Sequence, residues 1–481
     1  MTEKNMALRF IRYTACICII AVLVGCASTG NEISKEKLNE NMKISDTFAY
    51  SGEGEYGEKW WEIFNNSELN GLMDRMFENN YNIAGSYEGL KALQAALGIS
   101  RADRLPSVDA GAQAGETYST STTGERKWRE GYEISLTASY EADIWGRIKA
   151  ATESDRLALV SGRYDVQTLY MTLTAELADR YFLYKSLASV LKMQREMLEL
   201  RQKQISSLEM MYSSGIGSLD TIYTYQTNIA DLMESMTETR QSMRDAKLQM
   251  ALLIGYNDPS MVNVSDKYNL DIPFLPKVIP SEVAEKRPDI RSAYALVLQA
   301  DRNVAEAMAN RYPKLSFSAS AAYNGDELSN LVTPENFVAN LIANLTMPLF
   351  DAGKLSNQQK QREFLYKQEV YSYYQTVLEA LNEVSGSLED NMQNEQALLL
   401  SQQKVSIEEK RLQVSKMKYE MGILSYSDVI DDQIGLLSAW LTEVNARRSL
   451  ISSRIELARS TGGSWTDEEI DNRLSSSQET K

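Results

Sequence analysis

Asp428, Asp431 and Asp432 stand close behind the glycine of a Tyr419-Glu-Met-Gly422 turn. A spacing of three puts Asp428 and Asp431 on one helix face. Two kinds of chemistry fit such a pair. Clustered carboxylates attract cations and repel anions, as a constriction for ions or solutes would need. Acids in the first turn of a helix also stabilise the positive end of its dipole, by about 0.3–1 kcal/mol each. Other acids, such as Asp301 with Glu306, or Glu389, Asp390 and Glu395, lie on long amphipathic runs and read as solvated faces, not as acid/base pairs. The chain has no histidine, which excludes His triads, His general bases and His metal sites. No Gly-x-x-x-x-Gly-Lys-Ser/Thr loop occurs. The residues therefore predict neither an enzyme nor a bound cofactor nor a dedicated metal site, but a passive device whose energy comes from elsewhere.

The element behind these aspartates occurs twice. Tyr212-Ser-Ser-Gly215 stands 207 positions before Tyr419-Glu-Met-Gly422. The same offset relates Tyr87 to Tyr294, Pro106 to Pro313, Gly146 to Gly353 and Gly255 to Gly462. One offset over such a span implies a duplicated unit of roughly 200 residues, not a short solenoid repeat. Gly215 and Gly422 are expected in the left-handed conformation that ends a helix.

The chain opens with Lys4, Arg9 and Arg12, then an apolar core over 15–24 that is too short to span a membrane. Residues 1–25 read as a secretory signal. Small residues before Cys26 resemble a bacterial lipobox, in which that cysteine carries a covalent lipid; an ordinary signal with an incidental cysteine is the alternative. Loss of the signal removes three cations and one acid, taking the formal charge from −16 to −18. So acidic a chain does not suit nucleic acid, which needs a basic face. Cys16 and Cys18 leave with the signal, so no intrachain disulfide is expected. No later run is long and apolar enough for a transmembrane helix, which leaves a β-barrel as the way across a membrane.

Residues 26–57 are polar and read as an extended segment. Trp60, Trp61 and Phe64 begin a packed body, and helical spacing follows from Ser67 and again over 81–104. The period then changes to two. A hairpin is expected over about 107–145, with a polar loop from Ser119 to Glu130, and a second over about 314–350. Tyr132, Tyr323 and Phe337 suit a membrane interface, although a soluble half-buried sheet would alternate in the same way. Four strands cannot close a barrel alone, since roughly eight is the practical minimum. After each hairpin a proline-free helix of roughly 95 Å is expected, over 150–212 and over 355–419. Shorter return helices follow over 219–253 and 427–459, with coiled-coil-like spacing. The domain reading is thus 58–256 for the first repeat, 257–286 for a proline-rich linker, 287–462 for the second repeat and 463–481 for an acidic, serine-rich tail expected to be disordered.

Trp60-Trp61, Asp143-Ile-Trp145-Gly146, Arg287-Pro288-Asp289-Ile290, Tyr312-Pro313, Pro348-Leu-Phe350-Asp351-Ala-Gly353 and the two Tyr-x-x-Gly turns occur in this order. Together with the duplication and the lipobox they resemble the TolC-type outer-membrane efflux channels, in their lipoprotein (OprM/NodT-like) branch. The resemblance implies an α+β membrane protein: a homotrimer whose subunits each give four strands to a 12-stranded barrel, with a long helical barrel in the periplasm. It implies an exit duct working with a periplasmic adaptor protein and an inner-membrane pump, most simply of the RND type. The tips at Tyr212, Gly215, Tyr419 and Gly422 would face the adaptor. Asp428, Asp431 and Asp432 would narrow the periplasmic entrance, where Asp428 and Asp431 could bind cations. Some members carry a basic residue two past the turn glycine, which locks the closed state; this chain has Leu424 there and Gly217 in the other copy, which leaves the existence of a latch open. The alternative reading is a lipid-anchored coiled-coil scaffold without a pore.

Overall fold

The computed structural model describes residues 59–120, 126–266 and 286–462, with isolated positions at 38, 42, 48, 124, 272, 283 and 470. Cys26, the signal and most of the tail lie outside the described residues. The helices are α1 (Ser67–Asn79), α2 (Tyr81–Ala102), α3 (Arg147–Ser213), α4 (Leu219–Leu253), α5 (Pro288–Ala309), α6 (Lys354–Glu420) and α7 (Tyr426–Thr461). The strands are β1 (Ser107–Thr120), β2 (Arg126–Ala142), β3 (Lys314–Gly325) and β4 (Phe337–Thr346).

The duplication is a property of the backbone. α2 and α5, the starts of β1 and β3, and both ends of α3 and α6 are related by 207 positions. The glycines at that offset share a left-handed conformation: Gly146 and Gly353 (φ 73° and 83°), Gly215 and Gly422 (82° and 75°), Gly255 and Gly462 (85° and 73°). At each of these positions a side chain would strain the backbone, so the repeated glycines fix where helices begin and end.

The chain divides into two compact units that do not follow the sequence repeats. The first holds 90–162 and 292–374 with the four strands, paired antiparallel in the order β1-β2-β3-β4, so that β1 and β4 are its edges. The register sorts the two faces. Asp109, Thr137, Ser320 and Asn340 form one row across the sheet, and Ser107, Ser139 and Ser318 lie beside it in a row that ends on Ile342. On the other face run Ala110, Leu136, Ala321 and Ala339, next to Val108, Ala138, Ala319 and Leu341. Leu341, Leu345, Leu349 and Phe350 are 70–91% exposed, far beyond what single surface leucines need. The lower end of the sheet is tied to the helices: Trp145 Nε1 donates to the Pro313 carbonyl at 2.8 Å and its ring stacks on Tyr312. Asp143 caps α3, and Asp351 accepts from the Gly353 and Leu355 amides at the start of α6.

One expectation fails here. The polar loop over 119–130 is mostly strand: β1 runs to Thr120 and β2 begins at Arg126. Thr120 and residues 126–130 are exposed on both faces, so they lack the alternation by which a half-buried strand is recognised.

The second unit holds 43–89, 163–291 and 375–481. Trp60 and Trp61 are buried, and Phe64 packs on Phe182 while Phe77 packs on Tyr170. The Lys185 ammonium is buried and donates to Glu68 at 2.7 Å and to the Ser265 carbonyl at 2.8 Å. Burial alone would raise the Glu68 pKa, but hydrogen bonds from Lys185, Ser265 and Tyr181 outweigh it and hold the carboxyl at about 2. Its pKa is therefore depressed by folding, and its contribution is complete above the ordinary value of 4.5 and lost as pH falls toward 2. Glu68→Gln is expected to lower the unfolding temperature at neutral pH, with the deficit shrinking below about pH 4.5. Tryptophan fluorescence during heating reads this; a deficit that stays constant down to about pH 3 would contradict it.

Candidate functional site at the helical tips

Both tips belong to the second unit. At the first, the Ile216 amide donates to the Met211 carbonyl and the Gly215 amide to Tyr212, each at 2.9 Å. At the second, Ile423 donates to Lys418 at 2.8 Å and Gly422 to Tyr419 at 2.9 Å. These are the paired bonds of a Schellman ending, which satisfies the last carbonyls of each long helix. Tyr212 and Tyr419 are exposed, as are Met210, Ile216, Met421 and Ile423 around them.

The return helices start differently. Ser218 caps α4 by accepting from the Asp220 amide at 3.1 Å. Ser425 and Asp428 form a reciprocal capping box at the start of α7: the Asp428 amide donates to Ser425 Oγ at 3.2 Å, and the Asp428 carboxylate accepts from the Ser425 amide at 2.9 Å. At the 207 offset Asp428 corresponds to Thr221, so the first copy lacks this box.

The three aspartates are held in three ways. Asp428 serves the cap. Asp432 is buried within the α6–α7 hairpin, where it accepts from Arg411 Nε at 2.8 Å and from Ser415 Oγ. Asp431 reaches outside its own hairpin. Its Oδ1 accepts from Arg201 Nη1 of α3 at 2.7 Å, and its Oδ2 accepts from the Tyr225 hydroxyl of α4 at 3.1 Å. The Arg201 guanidinium also lies 5.2 Å over the Tyr225 ring. Burial and then the Asp431 charge push the Tyr225 hydroxyl pKa up, so it remains a donor. Gln204, fully buried, donates to Ser427 Oγ at 2.7 Å and so holds the start of α7 to the same point on α3.

Arg201, Gln204 and Tyr225 were not legible as site residues. The duplication held one signal. Gln204 and Tyr225 stand 207 positions before Arg411 and Asp432. In the second hairpin those positions make an ion pair with each other. In the first they are uncharged at neutral pH and turn to α7 instead. One copy closes on itself, and the other grips its sister.

The model of the family described as outer membrane efflux protein matches residues 72–256 and 279–463, two segments again offset by 207. The chain belongs to the outer membrane efflux protein family. The family assignment decides against a scaffold without a pore, and it makes this chain an outer-membrane efflux channel, not an enzyme. Among curated relatives, the pyoverdine export outer membrane protein OpmQ of Pseudomonas aeruginosa is 24% identical over 97% of this chain and 98% of its own length. SilC of Salmonella typhimurium, a probable outer membrane lipoprotein, is 23% identical over 94% of this chain and 98% of its own. The outer-membrane channel OprN shares the fold with a TM-score of 0.80 at 23% identity, covering 88% of this chain and 97% of its own.

Proposed function

We propose that three copies of the chain form the exit duct of a tripartite efflux system, with a periplasmic adaptor protein and an inner-membrane pump of the RND type. The observation that carries the reading is the four-stranded sheet with one polar face, one apolar face and two free edges, β1 and β4. A free edge in a membrane is untenable because its backbone groups find no water. Three sheets joined edge to edge give twelve strands, above the roughly eight that closure requires. The apolar face then meets lipid and the Ser/Thr/Asn face lines a wet lumen. The export name of OpmQ supports a small organic cargo, and the lipoprotein name of SilC supports a lipid on Cys26.

The periplasmic gate lies at the tips. The Arg201–Asp431–Tyr225 contact replaces the basic residue missing at Leu424 and holds α7 against the α3–α4 hairpin. Asp428 and Asp431, repeated around a threefold axis, give six carboxylates; while Arg201 holds Asp431 the Asp428 groups supply the unpaired charge that attracts cations, and release of Arg201 adds Asp431 to it. The tip residues around Gly215 and Gly422 face the adaptor.

Outer membranes extracted in mild detergent are expected to yield a trimer that runs as a monomer only after heating, and that conducts ions in planar bilayers. Cys26→Ala is expected to abolish labelling by radioactive palmitate while leaving the barrel in the membrane. Recovery of a water-soluble monomer from that variant would sink the channel reading.

A further inference from the structure

The seam between the two hairpins has a counterpart with one side missing. On α3, Met197, Leu200, Gln204 and Ser207 follow a coiled-coil spacing and are buried or half-buried. Their counterparts at the 207 offset on α6 are Lys404, Ile407, Arg411 and Val414, and all four are exposed. Gln204 is fully buried beneath the start of α7, whereas the Arg411 side chain is 63% exposed. The return helices show the same inequality. On α7, Ile430 is fully buried and Asp431 half-buried; on α4 their counterparts Tyr223 (59% exposed) and Thr224 face water. One seam, α3 on α7, is therefore closed. The faces that would make the other, α6 and α4, both lie open.

The charges shift between the two seams. In the closed one the ion pair is Arg201–Asp431, and the neighbouring Gln204–Ser427 contact is uncharged. At the 207 offset Arg201 and Asp431 become Glu408 and Thr224, which cannot form an ion pair. Gln204 and Ser427 become Arg411 and Asp220, which can. Opposite charges thus return within one helical turn of where the first pair stood. Arg411 is already positioned: its Nε donates to Asp432 at 2.8 Å, which restrains the guanidinium. Asp220 is exposed, and no ion pair among the described residues engages its carboxylate.

We propose that α6 packs on α4 of a second copy of the chain in the register that α3 takes on α7, and that Arg411 there pairs with Asp220 of the next subunit. Both seams then have their arginine on a long helix and their aspartate on a return helix. Around a trimer the two alternate, with Arg201–Asp431 inside each subunit and Arg411–Asp220 between subunits. The proposal rests on the trimer proposed above and adds the register and the ionic contact of its helical tips.

The test uses the full chain in outer membranes, with Arg411→Cys and Asp220→Cys combined and a short bifunctional maleimide added. Chains are expected to become linked to one another, up to a covalent trimer that survives boiling. Arg201→Cys with Asp431→Cys is expected to link within one chain. Arg411→Cys with Asp231→Cys moves the second thiol about 16 Å along α4 and is expected to give no link. Each single variant controls for links through Cys26. Separately, Asp220→Asn is expected to lower by a few degrees the temperature at which the trimer separates, at low salt and not at high salt. Asp220→Glu, which keeps the charge, is expected to behave as the wild type. A link within one chain for the Arg411 and Asp220 thiols would overturn the proposal. So would equal linking of the shifted pair, or no link while the trimer and the Arg201–Asp431 control both form. An Asp220→Asn trimer with the wild-type response to heat and salt would overturn the ionic contact. Absence of any heat-modifiable oligomer in the wild type would sink the proposed function, and this register with it.

Discussion

Arg201→Ala is expected to raise the conductance of the reconstituted channel several-fold and to admit solutes that the wild type excludes. Arg201 and Asp431 carry the contact between the two hairpins of one subunit, and their side chains are 18% and 42% exposed. A half-exposed ion pair contributes about 1 kcal/mol. If three subunits move together, their loss amounts to about 3 kcal/mol, or roughly two orders of magnitude in the open-to-closed ratio. Asp431→Ala is expected to open the channel similarly. Asp428→Ala combined with Asp431→Ala is expected to weaken divalent-cation block as well, since both carboxylates are then gone. Exchanging the charges, Arg201→Asp with Asp431→Arg, should restore low conductance if the contact itself is the latch. Planar-bilayer recordings decide the matter, and an unchanged conductance in Arg201→Ala would leave the aspartates with their capping and packing roles alone.

Arg287→Ala is expected to destabilise the second unit by about 3 kcal/mol, enough to lower the yield of assembled channel sharply. The guanidinium is buried and makes four hydrogen bonds. It holds Asp289 through two bonds of 3.0 and 2.6 Å, Glu383 at 2.7 Å and the Ser460 carbonyl at 2.8 Å. It thereby joins the start of α5, the middle of α6 and the end of α7. Burial would lower its pKa, but Asp289 and Glu383 outweigh this and raise it, so the group stays charged. Removal leaves a carbonyl and part of two carboxylates without a donor. Arg287→Lys should rescue little, because one ammonium cannot reproduce the fork that meets Asp289. Thermal unfolding and the amount of heat-modifiable species measure the loss; a variant as stable as the wild type would show that Arg459, which also binds Glu383, suffices.

Much of the fold could be read directly from the chain because its signals are local or repeated. A two-residue period marks Tyr132–Ala142 as a half-wet strand, and the absence of proline over 150–212 allows one long helix. The start of α1 at Ser67 and the limits of α4 follow from helical spacing. The extension of β1 and β2 beyond the sheet reads as a loop for the opposite reason: with water on both faces, residues 126–131 obey no period. At the candidate site, Asp428 carries a local signature, since its partner Ser425 stands three residues away. Asp431 does not, because its partners Arg201 and Tyr225 lie 230 and 206 positions earlier.

The sequence by itself determined the duplication, the glycine turns, the strand and helix periods and the acidic tip, all of which depend on residues near one another or on a fixed offset. Only the tertiary structure decided which carboxylate caps, which is buried and which grips the other hairpin. It also decided that Lys127 and Arg129 share one face of the β1–β2 extension, with Glu116 and Glu130 on the other. Those outcomes depend on helix rotation and strand register, and a single residue of slip would reverse them.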